Sequence, residues 1–185
     1  MGAPIIETTR LLLRQPQACD FDAYADMHQD AEAMRFIGGV APRAAAWRKF
    51  LVIPGAWAIQ GFAMFSVVDK ASGAWLGHLG PWQPEGWPGT EIGWAFHPRA
   101  WGNGYATEAG HAALTWAFQH LGWSEVIHSI SPDNVASQQL AKRLGSTNSG
   151  PGRLPEPFES ERIDIWRQSR EQWARSRQAA GAAAR

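Results

Sequence analysis

Residues 91–109 read EIGWAFHPRAWGNGYATEA and carry the strongest local pattern in the chain. The apolar residues before Pro98 predict a strand over 90–96, which the proline ends. Gly102 and Gly104 follow in a short loop. Tyr105 then begins the most regular helical pattern of the sequence, with small and apolar residues recurring on one face as far as residue 121. The segment is therefore predicted to be a strand, a glycine loop and a helix.

A junction of this kind is suited to hold an anion. The first backbone amides of a helix have no partner within the helix, and the helix dipole makes that end about half a unit positive. Glycine at 102 and 104 removes the side chains that would keep an anion at a distance. Arg99 adds a positive charge beside the loop. The segment therefore predicts a phosphate site on the backbone of residues 101–106.

Two other nucleotide-binding patterns do not fit this segment. A P-loop requires Gly-Lys followed by Ser or Thr, and the sequence does not contain it. A dinucleotide fingerprint requires three spaced glycines early in an alternating fold, followed by an acidic residue in the next strand. Here the glycines come late and the third is missing. A glycine-rich helix cap without a ligand is the alternative to a phosphate site.

Strand and helix signals on both sides of this segment predict an α/β sandwich around one mixed sheet. Short connections favour antiparallel pairing of the second to fourth strands, and the strand–helix–strand unit after residue 90 favours a parallel pair. We expect a single domain over 1–178 and a flexible tail over 179–185. The predicted strands are 10–14, 63–68, 74–79, 90–96, 125–130 and 162–166, and the predicted helices are 20–30, 42–51, 105–121, 133 or 134 to 144, and 169–178.

Composition excludes several classes of protein. The 185 residues include 45% hydrophobic and 18% charged residues, which is typical of a globular chain. Lysine plus arginine equals aspartate plus glutamate at 17 each, so a nucleic-acid partner is not expected. One cysteine, Cys19, can form neither an internal disulfide nor a zinc cage. Without a membrane-spanning run or a secretion signal, we expect a cytoplasmic protein with no membrane partner.

Three motifs in this order resemble those of the GNAT superfamily of N-acetyltransferases. Arg99, Gly102 and Gly104 match the family's pyrophosphate-binding motif position by position. Two further segments are similar to a second family signature and to the opening strand of the RimJ/RimL-like branch, whose enzymes modify ribosomal-protein N-termini: residues 134–145 and residues 8–14. The resemblance covers about residues 5–175.

The resemblance implies a mostly antiparallel mixed sheet of about six or seven strands, flanked by helices, with a splay between the fourth and fifth strands. It implies transfer of an acetyl group from acetyl-CoA to a primary amine by direct attack in a ternary complex, without a metal. The acceptor is a peptide N-terminus or a small-molecule amine, and the chain is a monomer or homodimer. The cofactor contacts implied are Trp94, Ala95, Phe96, Arg99, Trp101, Gly102, Asn103, Gly104, Tyr105, Ala106, Asn134 and Ser137.

The resemblance also suggests the catalytic groups. Glu91 is the candidate base, because family members often carry a glutamate on the fourth strand and an apolar pocket would raise its pKa. A surface salt bridge is the alternative, and His78 and His97 are weaker candidates for the base. Many members use a tyrosine in the helix after the fifth strand as the acid; this sequence has none there, and Ser137 occupies the signature position.

Both residues at the start of that helix have a purely structural alternative. Asn134 would then be a helix cap, and the Ser137 hydroxyl would bond the helix backbone. A chain that has lost its acid or base would be a non-catalytic acyl-CoA-binding or sensor protein. An interaction domain rich in surface tryptophan is a third class.

Aromatic residues outside the cofactor segment suggest the acceptor site. The candidates are Phe36, Trp82, Trp87 and Phe158. Three glutamates, at 85, 156 and 159, lie in the same loops. An aromatic pocket with a few carboxylates suits a cation with an apolar body, but the eleven tryptophans of the chain also serve core packing.

Overall fold

A computed structural model describes residues 4–183, which contain eight strands and five helices. The strands are β1 Ile6–Glu7, β2 Leu11–Arg14, β3 Phe65–Asp69, β4 Trp75–Trp82, β5 Glu91–Phe96, β6 Glu125–Ile130, β7 Thr147–Gly152 and β8 Ile163–Ser169. The helices are α1 Phe21–Met27, α2 Arg43–Gln60, α3 Tyr105–Trp116, α4 Val135–Leu144 and α5 Arg170–Ala183. Short 3-10 turns lie at Ala18–Asp20 and Pro98–Ala100, and a π-turn over Ala117–Leu121 extends α3.

The strands form one mixed sheet in the order β1-β2-β3-β4-β5-β6-β8-β7. The pairs β1–β2, β2–β3, β3–β4, β6–β8 and β7–β8 are antiparallel. Strands β5 and β6 are parallel, with Glu91 opposite Ile127 at the N-terminal end of β5. The predicted α/β class with a mixed sheet is therefore confirmed. The splay that was expected between the fourth and fifth strands, which are β5 and β6 in the structure, stays a prediction for the remainder of β5.

The described residues form eight strands, whereas six or seven were expected. Strand β1 has only two residues, too few for an alternating pattern. Strand β7 reads TNSGPG, a polar sequence with a proline that is typical of a loop. Its pairing with β8, from Thr147 opposite Arg167 to Gly152 opposite Ile163, makes it a strand despite this composition.

Helix α2 is longer than predicted and contains a proline. The pattern predicted an end near residue 51, but the helix runs on to Gln60 with Pro54 inside it. Proline removes one helical hydrogen bond. Burial of Ile53 and Trp57 on either side continues the packed face, and Gly61 ends the helix at φ +79°. Helix α1, by contrast, ends at Met27 rather than near residue 30.

The chain divides into two compact units. The first runs to Trp82 and resumes over Gly93–Ala113, and the second comprises Gln83–Ile92 and the chain from Leu114 onward. The single domain expected over 1–178 stays a prediction. Helix α5 reaches Ala183, so the described part of the expected tail has a helical backbone, and residues 184 and 185 lie outside the described residues.

Each unit has its own buried apolar groups. In the first, Trp57 packs against Phe65 with ring centroids 5.1 Å apart. In the second, Trp87 packs on a buried cluster made of Ile127, Leu154, Ile163 and Ile165. No helix within residues 4–183 is long and apolar enough to cross a membrane.

Candidate active site

The glycine loop between β5 and α3 leaves a run of backbone amides without partners. The Trp101 amide donates to Pro98 O at 3.0 Å, and its part in a phosphate site stays a prediction. The next amide with an acceptor is that of Glu108, which donates to Gly104 O at 3.1 Å. Within the described chain, no acceptor is found for the amides of residues 102–107. Six consecutive amide donors at the start of α3 thus have no acceptor in the described residues, and their contact with a phosphate stays a prediction.

Backbone conformation, rather than crowding, requires the two glycines. Gly102 has φ +75° and Gly104 has φ +77°, in the left-handed region that costs other residues roughly 1–2 kcal/mol. A Cβ at Gly102 would meet nothing within 4 Å. A Cβ at Gly104 would lie 3.6 Å from Nη2 of Arg10, an ordinary contact. No side chain at these two positions therefore blocks the close approach of an anion to the backbone.

Arg10, which was not predicted as a site residue, anchors this loop. Its Nη1 donates to Asn103 O at 2.9 Å, and its guanidinium lies 4.5 Å from the centre of the Tyr105 ring. Its Nε donates to Glu108 Oε2 at 2.7 Å, and Thr8 Oγ1 donates to Glu108 Oε1 at 2.6 Å. Burial alone would raise the pKa of Glu108, but these hydrogen bonds outweigh it and hold that pKa below its ordinary value.

Other predicted cofactor residues have partners of their own. Arg99 lies beside the loop, where its Nη2 donates to Trp75 O at 2.8 Å. The indole of Trp101 donates to Phe96 O at 2.9 Å, so that carbonyl is already bonded within the chain. Trp94 is half-buried, and Ala95 is buried. The contacts of all five residues with a cofactor stay predictions.

In the second unit, Glu91 is a buried carboxylate with three hydrogen-bond donors. It is 7% exposed. The indole of Trp87 donates to Oε2 at 2.5 Å, Ser129 Oγ donates to the same oxygen at 2.9 Å, and the Ser129 amide donates to Oε1 at 3.2 Å. No ion pair to Glu91 is found in residues 4–183, so the salt-bridge alternative is wrong.

Burial sets the proton affinity of this carboxyl. Desolvation raises the pKa of Glu91 above the ordinary value of 4.5, while the hydrogen bonds from Trp87 and Ser129 act in the opposite direction. A raised pKa increases the affinity of the carboxylate for a proton near neutral pH, which is the property a general base requires. The pKa of Glu91 is therefore raised, as was expected from the sequence.

The four aromatic residues predicted for the acceptor are divided between the units. Trp87 contacts Phe158 edge-to-face at 6.4 Å, and Phe158 is 43% exposed. These two residues accompany Glu91 in the second unit. Phe36 and Trp82 belong to the first unit, both half-buried, and Phe36 lies under the Arg35 guanidinium at 5.1 Å.

Asn134 and Ser137 begin helix α4 in the second unit. Asn134 Oδ1 accepts a hydrogen bond from the Ser137 amide at 3.1 Å, so the expected helix cap is confirmed. Both side chains are half-buried. The contact of Asn134 with the cofactor and the role of Ser137 as acid stay predictions.

The two histidines weighed as bases have other environments. His97 accepts from the Arg99 amide at Nδ1, so its Nε2 carries the proton and donates to Asp26 at 2.9 Å. Desolvation, with a smaller effect from His28, lowers the pKa of His78 to about 3, so this imidazole has little affinity for a proton at neutral pH. Within the described chain, no group of three or more His, Cys, Asp or Glu residues is placed to hold a metal ion.

The pattern of the acetyltransferase (GNAT) domain matches residues 10–147. The chain belongs to this GNAT family. Its members transfer an acetyl group from acetyl-CoA to an amine. The uncharacterized N-acetyltransferase YnaD of Bacillus subtilis is 29% identical over 146 residues, which cover 78% of this chain and 84% of YnaD.

Solved GNAT structures have the same fold. An acetyltransferase from Agrobacterium tumefaciens matches with a TM-score of 0.81 and 27% identity, over 92% of this chain and 96% of that one. RimL, a ribosomal L7/L12 alpha-N-protein acetyltransferase, matches with a TM-score of 0.72 over 91% of this chain and 96% of RimL. At 16% identity this second likeness shows the fold alone, in line with the RimJ/RimL-like resemblance.

Proposed function

We propose that this protein transfers the acetyl group of acetyl-CoA to a primary amine by direct attack in a ternary complex. The acceptor is a protein N-terminal α-amine or a small-molecule amine. The observation that carries the proposal is the run of unpartnered amides over residues 102–107, at the positive end of α3. Bound acetyl-CoA supplies an activated thioester carbonyl, and the residues of the chain must bind, orient and move protons around it.

In this proposal the loop residues and Arg99 hold the diphosphate, and the backbone of Trp94 and Ala95 orients the rest of the cofactor. Asn134 uses its amide nitrogen for the cofactor, because its Oδ1 already caps α4. Two amide donors on that nitrogen suit the carbonyl groups of a pantetheine arm.

Glu91 takes the proton of the acceptor ammonium, directly or through a water. Its raised pKa supports this role, and the two donors on Oε2 leave Oε1 with the single bond from the Ser129 amide. Oε1 is therefore the oxygen better able to accept the proton. Trp87 and Phe158 provide the aromatic wall for the acceptor.

Ser137 is the candidate donor to the leaving thiolate, since helix α4 contains no tyrosine. The same observation favours one alternative, a non-catalytic acyl-CoA sensor that keeps the binding loop. The two functions differ in whether an acceptor amine causes release of free coenzyme A thiol.

The test measures binding and turnover separately. Acetyl-CoA should raise the melting temperature, because a ligand that binds only the folded state stabilises it. Acetyl-CoA mixed with a panel of amines and peptides should release thiol only when an acceptor is present. Binding without release across the panel would support the sensor, and absence of both would refute the proposal.

Two variants assign the parts of the site. Gly104→Glu places a charged side chain among the amide donors, so acetyl-CoA should no longer raise the melting temperature. Glu91→Gln should spare that binding and lower turnover by about 100-fold, within the range typical of lost general-base catalysis. An unchanged rate for Glu91→Gln would remove this residue as the base.

A further inference from the structure

The pairing between β5 and β6 shows where their next ladder bond would lie. Glu91 is opposite Ile127, and the Ile127 amide donates to Thr90 O at 2.9 Å. Strand ladders repeat every two residues, so the next bond of a regular parallel pair would join the Ser129 amide to Ile92 O. In this structure both groups have a side-chain partner, and each strand supplies one of the two side chains. All of these residues belong to the second unit.

Glu91 and His128 are the two side chains that cross between the strands. The Ser129 amide donates to Glu91 Oε1 at 3.2 Å. On the other side, Nδ1 of His128 lies 2.7 Å from Ile92 O. A carbonyl oxygen can only accept, so Nδ1 carries the proton and donates to it. Glu91, Ile92 and His128 are all buried, so these bonds are protected from exchange with water.

A second bond fixes the orientation of the His128 ring. Its Nε2 lies 2.9 Å from Oγ of Ser146, which is buried as well. With the proton on Nδ1, Nε2 is an acceptor, so the serine hydroxyl donates to it. Burial lowers the pKa of His128 to about 4, although the bond to Ile92 acts in the opposite direction. The imidazole is therefore neutral near pH 7 and is a fixed donor to Ile92 O.

This arrangement determines where the Ser129 amide donates. Without the imidazole, Ile92 O would need another donor, because buried carbonyl groups are normally hydrogen-bonded. The Ser129 amide has the register to supply that bond, and it would then leave Glu91 Oε1. We infer that His128 is a positioning residue, which keeps the Ser129 amide available to the Glu91 carboxylate. The inference rests on the proposed function for the role of Glu91 as the base.

No ion pair within residues 4–183 complicates the protonation of Glu91. The hydrogen bonds that act on its pKa come from Trp87 and Ser129, and neither of these residues titrates. The other charged side chains of β6 and β8 have partners of their own: Arg167 donates to Glu125 at 2.6 Å, and Asp164 accepts from Asn148 at 2.9 Å. The protonation of Glu91 therefore reports on its own hydrogen-bond donors.

Two amide side chains separate the two bonds of the imidazole. In His128→Asn the side-chain nitrogen can take the place of Nδ1 and keep the bond to Ile92 O. In His128→Gln the longer side chain carries its nitrogen to the place of Nε2, beside Ser146. We expect kcat on the acid limb of the pH–rate profile to fall at least about tenfold in His128→Gln, the equivalent of one lost bond to a charged group. In His128→Asn it should stay within about threefold of wild type, whereas a merely structural role would affect both variants alike.

Thr90→Val is the matched control at the same junction. Thr90 Oγ1 donates to Glu125 O at 2.5 Å, so it also joins the two strand regions through a side chain. That bond involves neither the Glu91 carboxylate nor Ile92 O, so its loss should lower the melting temperature and leave the acid limb in place. If neither amide variant folds, Ser146→Ala removes one bond of the imidazole and should move the limb to higher pH by a smaller amount.

A carboxyl titration separates this inference from the proposed function. The ¹³C carboxyl resonance of Glu91, assigned by its loss in Glu91→Gln, is followed against pH without acetyl-CoA. Loss of the Ser129 amide removes a bond that favours the carboxylate, so the midpoint should move up by about one pH unit in His128→Gln. It should stay in place in His128→Asn and Thr90→Val.

The outcomes distinguish the two ideas. The expected shifts without turnover in any of the proteins would support the positioning role of His128 while refuting the transferase. Turnover with one midpoint in all variants would overturn the positioning role and leave the transferase standing. Equal shifts in His128→Asn and His128→Gln would also overturn it, because the bond to Ile92 O would then not be the cause.

Discussion

Trp87→Phe is predicted to move the acid limb of the pH–rate profile to higher pH. The indole N–H is one of three donors to the buried Glu91 carboxyl, at 2.5 Å from Oε2. Phenylalanine keeps a ring beside Phe158 but removes that donor. The carboxylate gains more from the bond than the neutral acid does, so the pKa of Glu91 should rise further.

The size of the effect follows from the type of bond. A hydrogen bond to a charged group contributes about 1.5–3 kcal/mol, and 1.4 kcal/mol corresponds to about tenfold. At a pH on the acid limb the rate should therefore fall at least about tenfold, whereas the rate on the plateau should be little changed. Ser129→Ala, which removes the second donor to Oε2, should move the limb in the same direction.

The assay is thiol release from acetyl-CoA, followed across the pH range with saturating acceptor. Trp57→Phe is the matched control, because it removes an indole N–H that donates to a main-chain carbonyl, Met64 O, at 3.0 Å. That variant should leave the limb in place. If the acid limb of the pH–rate profile does not move in Trp87→Phe, or moves to lower pH, the role assigned to the Trp87–Glu91 bond is refuted.

Three further predictions concern the loop and the buried titratable groups. Arg10→Gln should weaken acetyl-CoA binding about tenfold in calorimetry. The free energy of unfolding should fall by only about 1 kcal/mol, because the Arg10 guanidinium is partly exposed. Arg143→Gln, on the surface of α4, is the control and should change neither quantity. The pKa of His78 is about 3 when folded and 6.5 in the unfolded chain, so the unfolded chain binds more protons between these values and stability falls as pH drops. His78→Leu should reduce that slope by about 1.4 kcal/mol per pH unit in urea titrations, and an unchanged slope would contradict the buried neutral imidazole. Because the pKa of Glu91 is raised in the folded protein, wild-type stability is lost as the pH rises through that pKa. Below that pKa, melting curves should show Glu91→Gln to be less stable than wild type, because the new amide faces a hydrogen-bond donor. Above that pKa, the stability of Glu91→Gln should rise relative to wild type.

Local signals in the sequence were sufficient for several elements in the second half of the fold. Strand β6 was predicted to the residue, and α4 was predicted from a cap at Asp133 or Asn134 to its stop at Gly145, which has φ +95°. Capping and positive φ are properties of a few consecutive residues, so the sequence displays them directly. The same is true of the glycine loop before α3.

Features that depend on distant partners could not be predicted in this way. Pro54 continues α2 because burial on both sides outweighs one lost hydrogen bond, and burial is a tertiary property. Strand β7 exists through its pairing with β8. Arg10 was quoted only as part of an opening strand, because its contact with Asn103 spans 93 residues of sequence. Similarly, nothing local linked Ser129 to Glu91, 38 positions away.

The bonds from Thr8 and Arg10 to Glu108 have a consequence for the order of events during synthesis. They join residues 100 and 98 positions apart, so the glycine loop cannot be held by these bonds until both partners have left the ribosome. Contacts of such long range form late, since closing a long loop precedes any gain from it. In the proposed function, retention on immobilised coenzyme A would thus report that the connection between β1 and β2 has docked, which makes it a sensitive check of folding for truncated or tagged forms.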